Sequence, residues 1–341
     1  MTHPLEPRLA AYIAGRMPQA RDVAVEGLER ISGGASRETY RFRARWTDDD
    51  GVRERRLILR RDPPASLIDT ERRIEFAAYR AFAGSAVPAP EMLWLEEGSG
   101  ALDHPFFIAE ELVGFQASPQ VLFAGPYDGV LGRLAERKWS ILGDIARADP
   151  AVLGLTQVMP APALNACGWR ELDHWEAILD RDEAEPMPIT RAAIRWLRAN
   201  PPPPAQKLSV VHGDYRTGNF LFDEAGEIHG VLDWEMAHLG DPLEDLAWGF
   251  NPVWSFGRQG LAGGLIPQAQ AVEMWERASG LTAEPAALAW WVLFNCVKGQ
   301  GIWVGSAGAW RGGAREPIMA YPAWWLMNAQ ERAMLKVMDR L

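Results

Sequence analysis

Three oxygen-bearing side chains in one short segment have the types and spacing needed for metal-assisted chemistry. Asp214 stands in a His-Gly-Asp triplet, Asn219 comes five residues later, and Asp233 ends a second apolar run. Asn219 and Asp233 offer hard oxygen ligands without a surrounding His or Cys cluster, a donor set that suits Mg²⁺. Asp214 is then left to activate a nucleophile. Because phosphoryl transfer requires positioning and charge neutralisation more than covalent chemistry, the set predicts a phosphoryl-transfer centre.

The elements around these residues form a predicted β-hairpin beside a loop. Residues 208–211 are an apolar, β-branched run, which predicts a strand that delivers the loop carrying Asp214. Two further strand-like runs flank a turn composition, at residues 219–222, 223–226 and 228–232. The open ends of a hairpin are neighbours, so we expect folding to bring Asn219 and Asp233 together beside Asp214.

Length, charge and cysteine content restrict the class of protein. The chain has 341 residues, more than a single core usually contains, which predicts two lobes or domains. Its net charge of -10, without a Lys/Arg-rich cluster, argues against nucleic-acid binding. Cys167 and Cys296 lie far apart without metal-ligand spacing, and so predict neither a disulfide framework nor a zinc site.

The sequence also lacks the pattern of a membrane protein. The N-terminus has no basic-then-apolar signal pattern, and the most apolar run, residues 286–297, is shorter than the ~20 residues that span a bilayer. We therefore expect a soluble, cytoplasmic protein with no membrane partner. The sequence leaves its oligomeric state open.

The first third of the chain has the pattern of an antiparallel sheet. Tyr40, Phe42, Ala44 and Trp46 alternate with three arginines, as in a half-buried strand. A loop of small residues at 32–36 precedes this strand. We predict further strands at 55–61, 92–95 and 105–114, and helices at 9–17 and 66–82.

The composition becomes helical beyond residue 114. We predict helices at 127–148, 169–181, 190–199, 241–250, 268–279, 285–298 and 317–341. Asp241 followed by Pro242 is a favourable helix start. The tail is rich in tryptophan, and aromatic residues at helical spacing, such as Trp290 and Trp291, are most often core residues.

These motifs resemble the aminoglycoside phosphotransferase family, a group of protein-kinase-like small-molecule kinases. The resemblance is carried by His212-Gly213-Asp214, Asn219, Leu232-Asp233-Trp234-Glu235, Gly240-Asp241-Pro242 and Asp245-Leu246-Ala247. It implies an α+β, two-lobed protein-kinase-like fold. The N-lobe, residues 1–113, would contain an antiparallel sheet with a helix, and the C-lobe, residues 114–341, would be mostly helical. ATP and Mg²⁺ would be the cofactors, and a small-molecule hydroxyl group the acceptor.

The resemblance assigns roles around the catalytic loop. Asp214 would be the catalytic base, with Asn219 and Asp233 as Mg²⁺ ligands, as in the D-x-x-x-x-N loop of kinases. We expect His212 to be structural, and Asp241 and Asp245 to brace the loop through hydrogen bonds. Arg216 lies inside the loop, where two interpretations stay open: it neutralises phosphoryl charge, or it faces solvent.

The nucleotide site is assigned in the same way. Arg60 stands where the family usually has a strand lysine that holds the phosphates, and its forked geometry differs from a lysine point charge. Glu75 is the predicted partner of Arg60, with Glu71 as the alternative. The other predicted nucleotide-binding residues are Gly33, Gly34 and Ser36 in the phosphate loop, and Glu110 and Leu112 at the hinge between the lobes.

The acceptor and the activity have alternatives. Leu59-Arg60-Arg61 with Pro63-Pro64, and Asp233-Trp234-Glu235, are most similar to the branch fused to acyl-CoA dehydrogenases. That branch implies a hydroxy acid or hydroxyacyl-CoA as acceptor, rather than an aminoglycoside-like compound. The rival interpretation is a nucleotide-binding regulator with weak catalysis, motivated by the replacement of lysine by Arg60. The choice between ATP and GTP stays open.

Overall fold

A five-stranded antiparallel sheet forms the first part of the protein, in strand order β1-β2-β3-β5-β4. The computed structural model describes residues 3–31, 38–62, 71–313 and 317–341, without the side chains of 317–325. The predicted phosphate-loop residues Gly33, Gly34 and Ser36 lie outside the described residues. The strands are β1 (Arg21–Ile31), β2 (Glu38–Asp48), β3 (Gly51–Arg61), β4 (Met92–Glu96) and β5 (Phe106–Glu110).

Alternation along β5 divides the interior into two hydrophobic cores. Phe106 and Ile108 pack into a smaller core with the first helix, α1 (Glu6–Arg16), and strands β1 to β3. Phe107 and Ala109 point to the opposite face, as successive strand residues must, and join the larger core. The second helix, α2 (Arg72–Ala81), packs its buried face into that larger core.

The second part of the protein is mostly helical, as predicted. Its helices are α3 (Pro119–Leu122), α4 (Leu131–Arg147), α5 (Cys167–Asp182), α6 (Pro188–Ala199), α7 (Leu243–Trp248), α8 (Gln268–Ser279), α9 (Pro285–Arg311) and α10 (Pro317–Met338). Trp290 and Trp291 are 1% and 0% exposed, which confirms their assignment to the core. Within the described ranges, no helix combines the length and apolar content needed to cross a bilayer.

Three two-stranded sheets position the loops of this helical part. They are formed by β6 (Ser209–Val211) with β9 (His238–Gly240), β7 (Phe220–Phe222) with β8 (Ile228–Val231), and β10 (Leu261–Ala262) with β11 (Ile266–Pro267). The antiparallel pairing of β7 with β8 confirms the predicted hairpin. The predicted α+β, kinase-like architecture is therefore the observed one, whereas the boundary at residue 113 stays a prediction.

Helix α9 is longer than predicted. The predicted end was Lys298, yet the helix continues to Arg311. A Cβ at Gly299 would overlap the side chain of Gln330, and one at Gly301 would overlap the ring of Trp175. The glycines therefore let neighbouring helices approach α9 closely, and this packing outweighs their low helix propensity.

Candidate active site

The catalytic loop leaves β6 and is fixed by the carboxylate of Asp245. Asp245 accepts hydrogen bonds from the backbone N–H groups of His212, at 2.6 Å, and of Gly213, at 2.9 Å. This confirms the predicted bracing role of Asp245. The same prediction for Asp241 is wrong: its carboxylate accepts from the N–H of Leu243 at 2.9 Å and so holds the start of α7 instead.

His212 is a buried, neutral residue that joins the loop to the hairpin. Its Nδ1 accepts from the N–H of Asp214 at 3.2 Å, so its Nε2 carries the proton and donates to the carbonyl of Leu232 at 2.9 Å. Burial lowers the pKa of His212 to about 4, which keeps the ring uncharged near neutral pH. These contacts agree with a structural role.

Gly213 is required by the backbone at this point. Its φ of 85° lies in the left-handed region that favours glycine. A Cβ would in addition overlap the carbonyl group of Met236. The residue before Asp214 can therefore carry no side chain, and the loop approaches the segment after the hairpin closely.

Three donors surround the carboxylate of Asp214. Its Oδ2 accepts from Nδ2 of Asn219 at 2.8 Å and from Nε of Arg216 at 3.0 Å. Its Oδ1 accepts from Nε1 of Trp248 at 2.8 Å. The sequence did not predict Trp248, because a tryptophan in a buried helix gives no signal that distinguishes a hydrogen-bond donor from a core residue.

Arg216 lies between the catalytic loop and an aromatic group. Besides donating to Asp214, its guanidinium carbon lies 5.0 Å from the ring centroid of Trp254. Among the described residues, its terminal Nη groups have no hydrogen-bond acceptor. The structure therefore places a partly exposed cation directly beside the predicted base.

Asn219 and Asp233 occupy the open ends of the hairpin. The N–H of Leu232 donates to the carbonyl of Asn219 at 2.7 Å, which joins the two arms. Asp233 adopts a left-handed conformation, with φ of 70°, and its N–H donates to the hydroxyl of Tyr79 at 2.7 Å. For a non-glycine residue this backbone is strained, and such strain often occurs at functional sites.

The donor set fits a magnesium ion. Nδ2 of Asn219 donates to the backbone carbonyl and to Oδ2 of Asp214, so the side-chain oxygen of Asn219 is turned away from the base. Asp233 binds Arg60 through Oδ1, and its Oδ2 has no donor within the part of the chain that the structure describes. One amide oxygen and one carboxylate oxygen are thus available in the same cleft, as Mg²⁺ requires.

Arg60 joins α2 to the end of the hairpin. It donates to Glu75 at 2.6 Å and to Asp233 at 2.9 Å, and Glu235 lies 3.7 Å away. Burial opposes the charge of Arg60, but the adjacent carboxylates raise its pKa well above the ordinary value. Glu75, rather than the exposed Glu71, is therefore the contact of Arg60.

A cleft of about 560 Å³ is lined by Arg60, Arg216, Asn219 and Asp233, and by the predicted hinge. Apolar side chains of Ile58, Leu221 and Leu232 line it, together with residues 110–115. The N–H of Leu112 has no acceptor among the described residues, whereas that of Glu110 is bonded to the carbonyl of Glu91. The cleft thus offers apolar walls and an unused backbone donor, as recognition of a planar base requires.

A buried ionic network lies behind the catalytic loop. Lys298 contacts Glu244 at 2.9 Å, and Glu244 also lies 3.1 Å from His238, whose Nε2 is 3.6 Å from Glu171. The other ring nitrogen of His238 faces a carbonyl oxygen, so both nitrogens donate. Despite burial, the two glutamates raise the pKa of His238 to about 9. A protonated imidazole beside an ammonium group does not suit a metal site.

The fold and the site define a kinase-like phosphotransferase. The sequence model of the phosphotransferase enzyme family matches residues 27–291, and the chain belongs to that family. Its membership confirms the predicted family and the predicted enzyme class, a small-molecule kinase with an alcohol group as acceptor. It also supports the predicted cofactors, ATP and Mg²⁺.

Sequence relatives come from much longer proteins. The chain is 28% identical over 249 residues to mouse acyl-CoA dehydrogenase family member 10, a match that covers 70% of this chain and 21% of that protein. It is 26% identical over 198 residues to chicken acyl-CoA dehydrogenase family member 11, covering 56% of this chain and 24% of that protein. The chain thus spans less than a quarter of the length of these relatives.

Solved structures share the fold over nearly the whole chain. A candidate aminoglycoside phosphotransferase from Ralstonia eutropha JMP134 has a TM-score of 0.73 at 20% identity, covering 98% of both chains. A thermostable mutant of aminoglycoside phosphotransferase APH(4)-Ia, in ternary complex with AMP-PNP and hygromycin B, has a TM-score of 0.59 at 20% identity, covering 96% of this chain and 98% of that chain. At these identities the likeness shows the fold.

Proposed function

We propose that the protein transfers the γ-phosphoryl group of ATP to a hydroxyl group of a small acid or of its CoA thioester. The observation that carries the proposal is the environment of Asp214. Its carboxylate faces the donors of Asn219, Arg216 and Trp248, and the oxygens of Asn219 and Asp233 are available in the adjoining cleft.

In this proposal the residues of the chain divide the work of the reaction. Asp214 accepts the proton of the acceptor hydroxyl, as a general base within hydrogen-bond reach. Asn219 and Asp233 hold Mg²⁺, which when bound neutralises phosphate charge. Arg60 and Arg216 add positive charge on either side, and the apolar walls with the N–H of Leu112 bind the base of the nucleotide.

Two observations favour an acidic, partly apolar acceptor. Arg216 is partly exposed, lines the cleft and packs against the buried indole of Trp254, so it presents a cation beside the base, which suits an anionic molecule. A polycationic aminoglycoside would meet Arg216 with unfavourable charge. The likeness to acyl-CoA dehydrogenase family members 10 and 11 supports the same acceptor class.

The rival function is a nucleotide-binding regulator. It is favoured by the contact of Arg60 with Asp233, which neutralises part of the charge available to a metal ion. The free oxygens of Asn219 and Asp233, and the intact surroundings of Asp214, favour the enzyme. Both functions require the cleft, and they differ in whether binding needs the metal and whether phosphate is transferred.

Calorimetric titration separates these functions. ATP and ADP are titrated with and without Mg²⁺ into wild type and into Asp233→Ala. An enzyme should show metal-dependent binding that Asp233→Ala loses, whereas metal-independent binding indicates the regulator. Mass spectrometry of products with 3- and 4-hydroxybutyrate, their CoA thioesters and hygromycin B then tests the acceptor. Turnover of hygromycin B alone would refute the acidic acceptor.

A further inference from the structure

A buried ammonium group lies directly beneath the catalytic loop. Lys298, on α9, is 1% exposed, and its Nζ donates to the backbone carbonyl of Gly213 at 2.6 Å and to Oε1 of Glu244 at 2.9 Å. The peptide group that contains this carbonyl also contains the nitrogen of Asp214. Lys298 therefore fixes the backbone from which the predicted base projects.

The same ammonium group reaches the carboxylate of Asp214 by a second path. Nζ of Lys298 lies 5.0 Å from the ring centroid of Trp248. Nε1 of Trp248 donates to Oδ1 of Asp214 at 2.8 Å. A cation near an indole face attracts its π electrons, which makes the indole N–H a stronger donor.

The two oxygens of Asp214 are unequally occupied. Oδ2 accepts two donors, from Asn219 and Arg216, whereas Oδ1 accepts the single donor of Trp248. A carboxylate oxygen has about two lone-pair sites. Oδ1 therefore keeps one lone-pair site for an incoming hydroxyl group. Oδ1 is also the oxygen that accepts from Trp248, the residue whose ring lies near Lys298.

Stability alone does not account for a charged pair at this position. Lys298 and Glu244 are 1% and 0% exposed, and a well-packed apolar pair of similar volume is often as stable as a buried ion pair. The contacts of Lys298 nevertheless converge on the residue before the predicted base and on its indole donor. The location of these contacts indicates that Lys298 serves the reaction rather than the stability of the core.

We propose that Lys298 is a positioning residue, which acts through the carbonyl of Gly213 and the ring of Trp248 to present Oδ1 of Asp214 to the acceptor hydroxyl. The inference rests on the proposed phosphoryl transfer. Lys298 touches neither nucleotide nor acceptor in this arrangement. Its loss should therefore lower turnover while leaving nucleotide binding intact.

Steady-state kinetics test this separation. ADP release from Mg·ATP is measured with the acceptor found in the product screen, or with water when none is found. Lys298→Met should lower kcat about 100-fold, the scale of a small misplacement of a catalytic group, with KM for ATP unchanged within about twofold. Lys298→Arg, which keeps donors and charge, should recover most of the loss.

Two further variants test whether Lys298 acts through Trp248 and control for a general loss of stability. Trp248→Phe keeps an aromatic ring but removes the N–H, and should lower kcat about tenfold. Combined with Lys298→Met it should add less than a further tenfold loss, because neighbours in one network are not additive. Val297→Ala removes buried atoms from the adjacent position of α9, and should lower Tm with wild-type kcat.

A measurement without nucleotide completes the test. Amide hydrogen exchange of residues 212–219 should be faster in Lys298→Met than in Val297→Ala. If Lys298→Met does not fold, the double variant Lys298→Met with Glu244→Gln, which removes both charges of the pair, is measured in its place. Equal exchange, or an equal loss of kcat in the Val297→Ala control, would overturn the proposal. Wild type that fails to bind Mg·ATP would refute the proposed function, and the exchange comparison would still decide whether Lys298 orders the loop.

Discussion

Replacing Arg60 with alanine should weaken both the fold and the nucleotide site. The guanidinium is 14% exposed and donates to Glu75 at 2.6 Å and to Asp233 at 2.9 Å. Its removal leaves the carboxylate of Glu75, which is 0% exposed, buried without its arginine. Breaking a buried ion pair on one side costs about 3–5 kcal/mol, and urea unfolding of Arg60→Ala should show a loss of that size.

The expected loss of ATP affinity can be separated from this loss of stability. A charged hydrogen bond to phosphate contributes about 1.5–3 kcal/mol, so Kd for Mg·ATP should rise about 10- to 150-fold. Adding Glu75→Gln to Arg60→Ala removes the carboxylate charge that has lost its arginine and should restore most of the stability. Because Glu75 does not itself bind phosphate, ATP affinity should stay low in the double variant.

Arg60→Lys is the matched control, since it restores the residue usual in the family. One ammonium group keeps the charge but loses the fork that reaches Glu75 and Asp233 together, so its Kd should fall between wild type and Arg60→Ala. Calorimetry gives Kd, and ADP release gives KM and kcat. Wild-type KM for ATP and wild-type kcat in Arg60→Ala would refute the assignment of Arg60 to phosphate.

Three further outcomes are expected. Asp214→Asn should lower kcat about 10²- to 10⁴-fold with Kd for Mg·ATP unchanged, and wild-type turnover would place the base elsewhere. Gly213→Ala should lower the free energy of unfolding by about 2 kcal/mol more than Gly154→Ala. Both glycines have a left-handed backbone, but only the Cβ added at Gly213 would overlap Met236. Equal Tm shifts in the two variants would disprove the overlap. The pKa of His238 is raised from 6.5 to about 9, so its stabilisation is complete below pH ~6.5 and is lost as pH rises towards 9. The free energy of unfolding of wild type, measured with urea, should fall by about 3 kcal/mol across this pH range. The same dependence of this free energy on pH in His238→Gln would contradict the assignment of the effect to His238.

The parts of the site that the sequence predicted are connected by local contacts. The hairpin between Asn219 and Asp233 needs only a turn and two apolar runs, which short-range patterns encode. Asp214 precedes Asn219 by five residues, so the loop geometry follows from the same segment. The contact of Arg60 with Glu75 was predicted by resemblance, because no local pattern joins a strand residue to a particular turn of the next helix.

The parts that the sequence did not predict depend on tertiary packing. Lys298 and Trp248 belong to buried helices, although from sequence alone a lysine suggests a solvated face and a tryptophan suggests core. Their functional contacts with Gly213 and Asp214 appear only when α7, α9 and the loop are packed together. The length of α9 was missed for a similar reason, since contacts with neighbouring helices outweigh the low intrinsic helix propensity of its glycines.

The composition of α9 also has a consequence for biosynthesis. Gly299, Gly301, Gly305 and Gly308 lie within this helix, and each disfavours an isolated helix by about 1 kcal/mol relative to alanine. A nascent chain that has reached residue 284 already contains Asp214, but it lacks Lys298 with the rest of α9, and it lacks α10, which packs against α9. We therefore expect ribosome-bound chains of this length to be inactive, and activity to arise only after α9 docks between its neighbours.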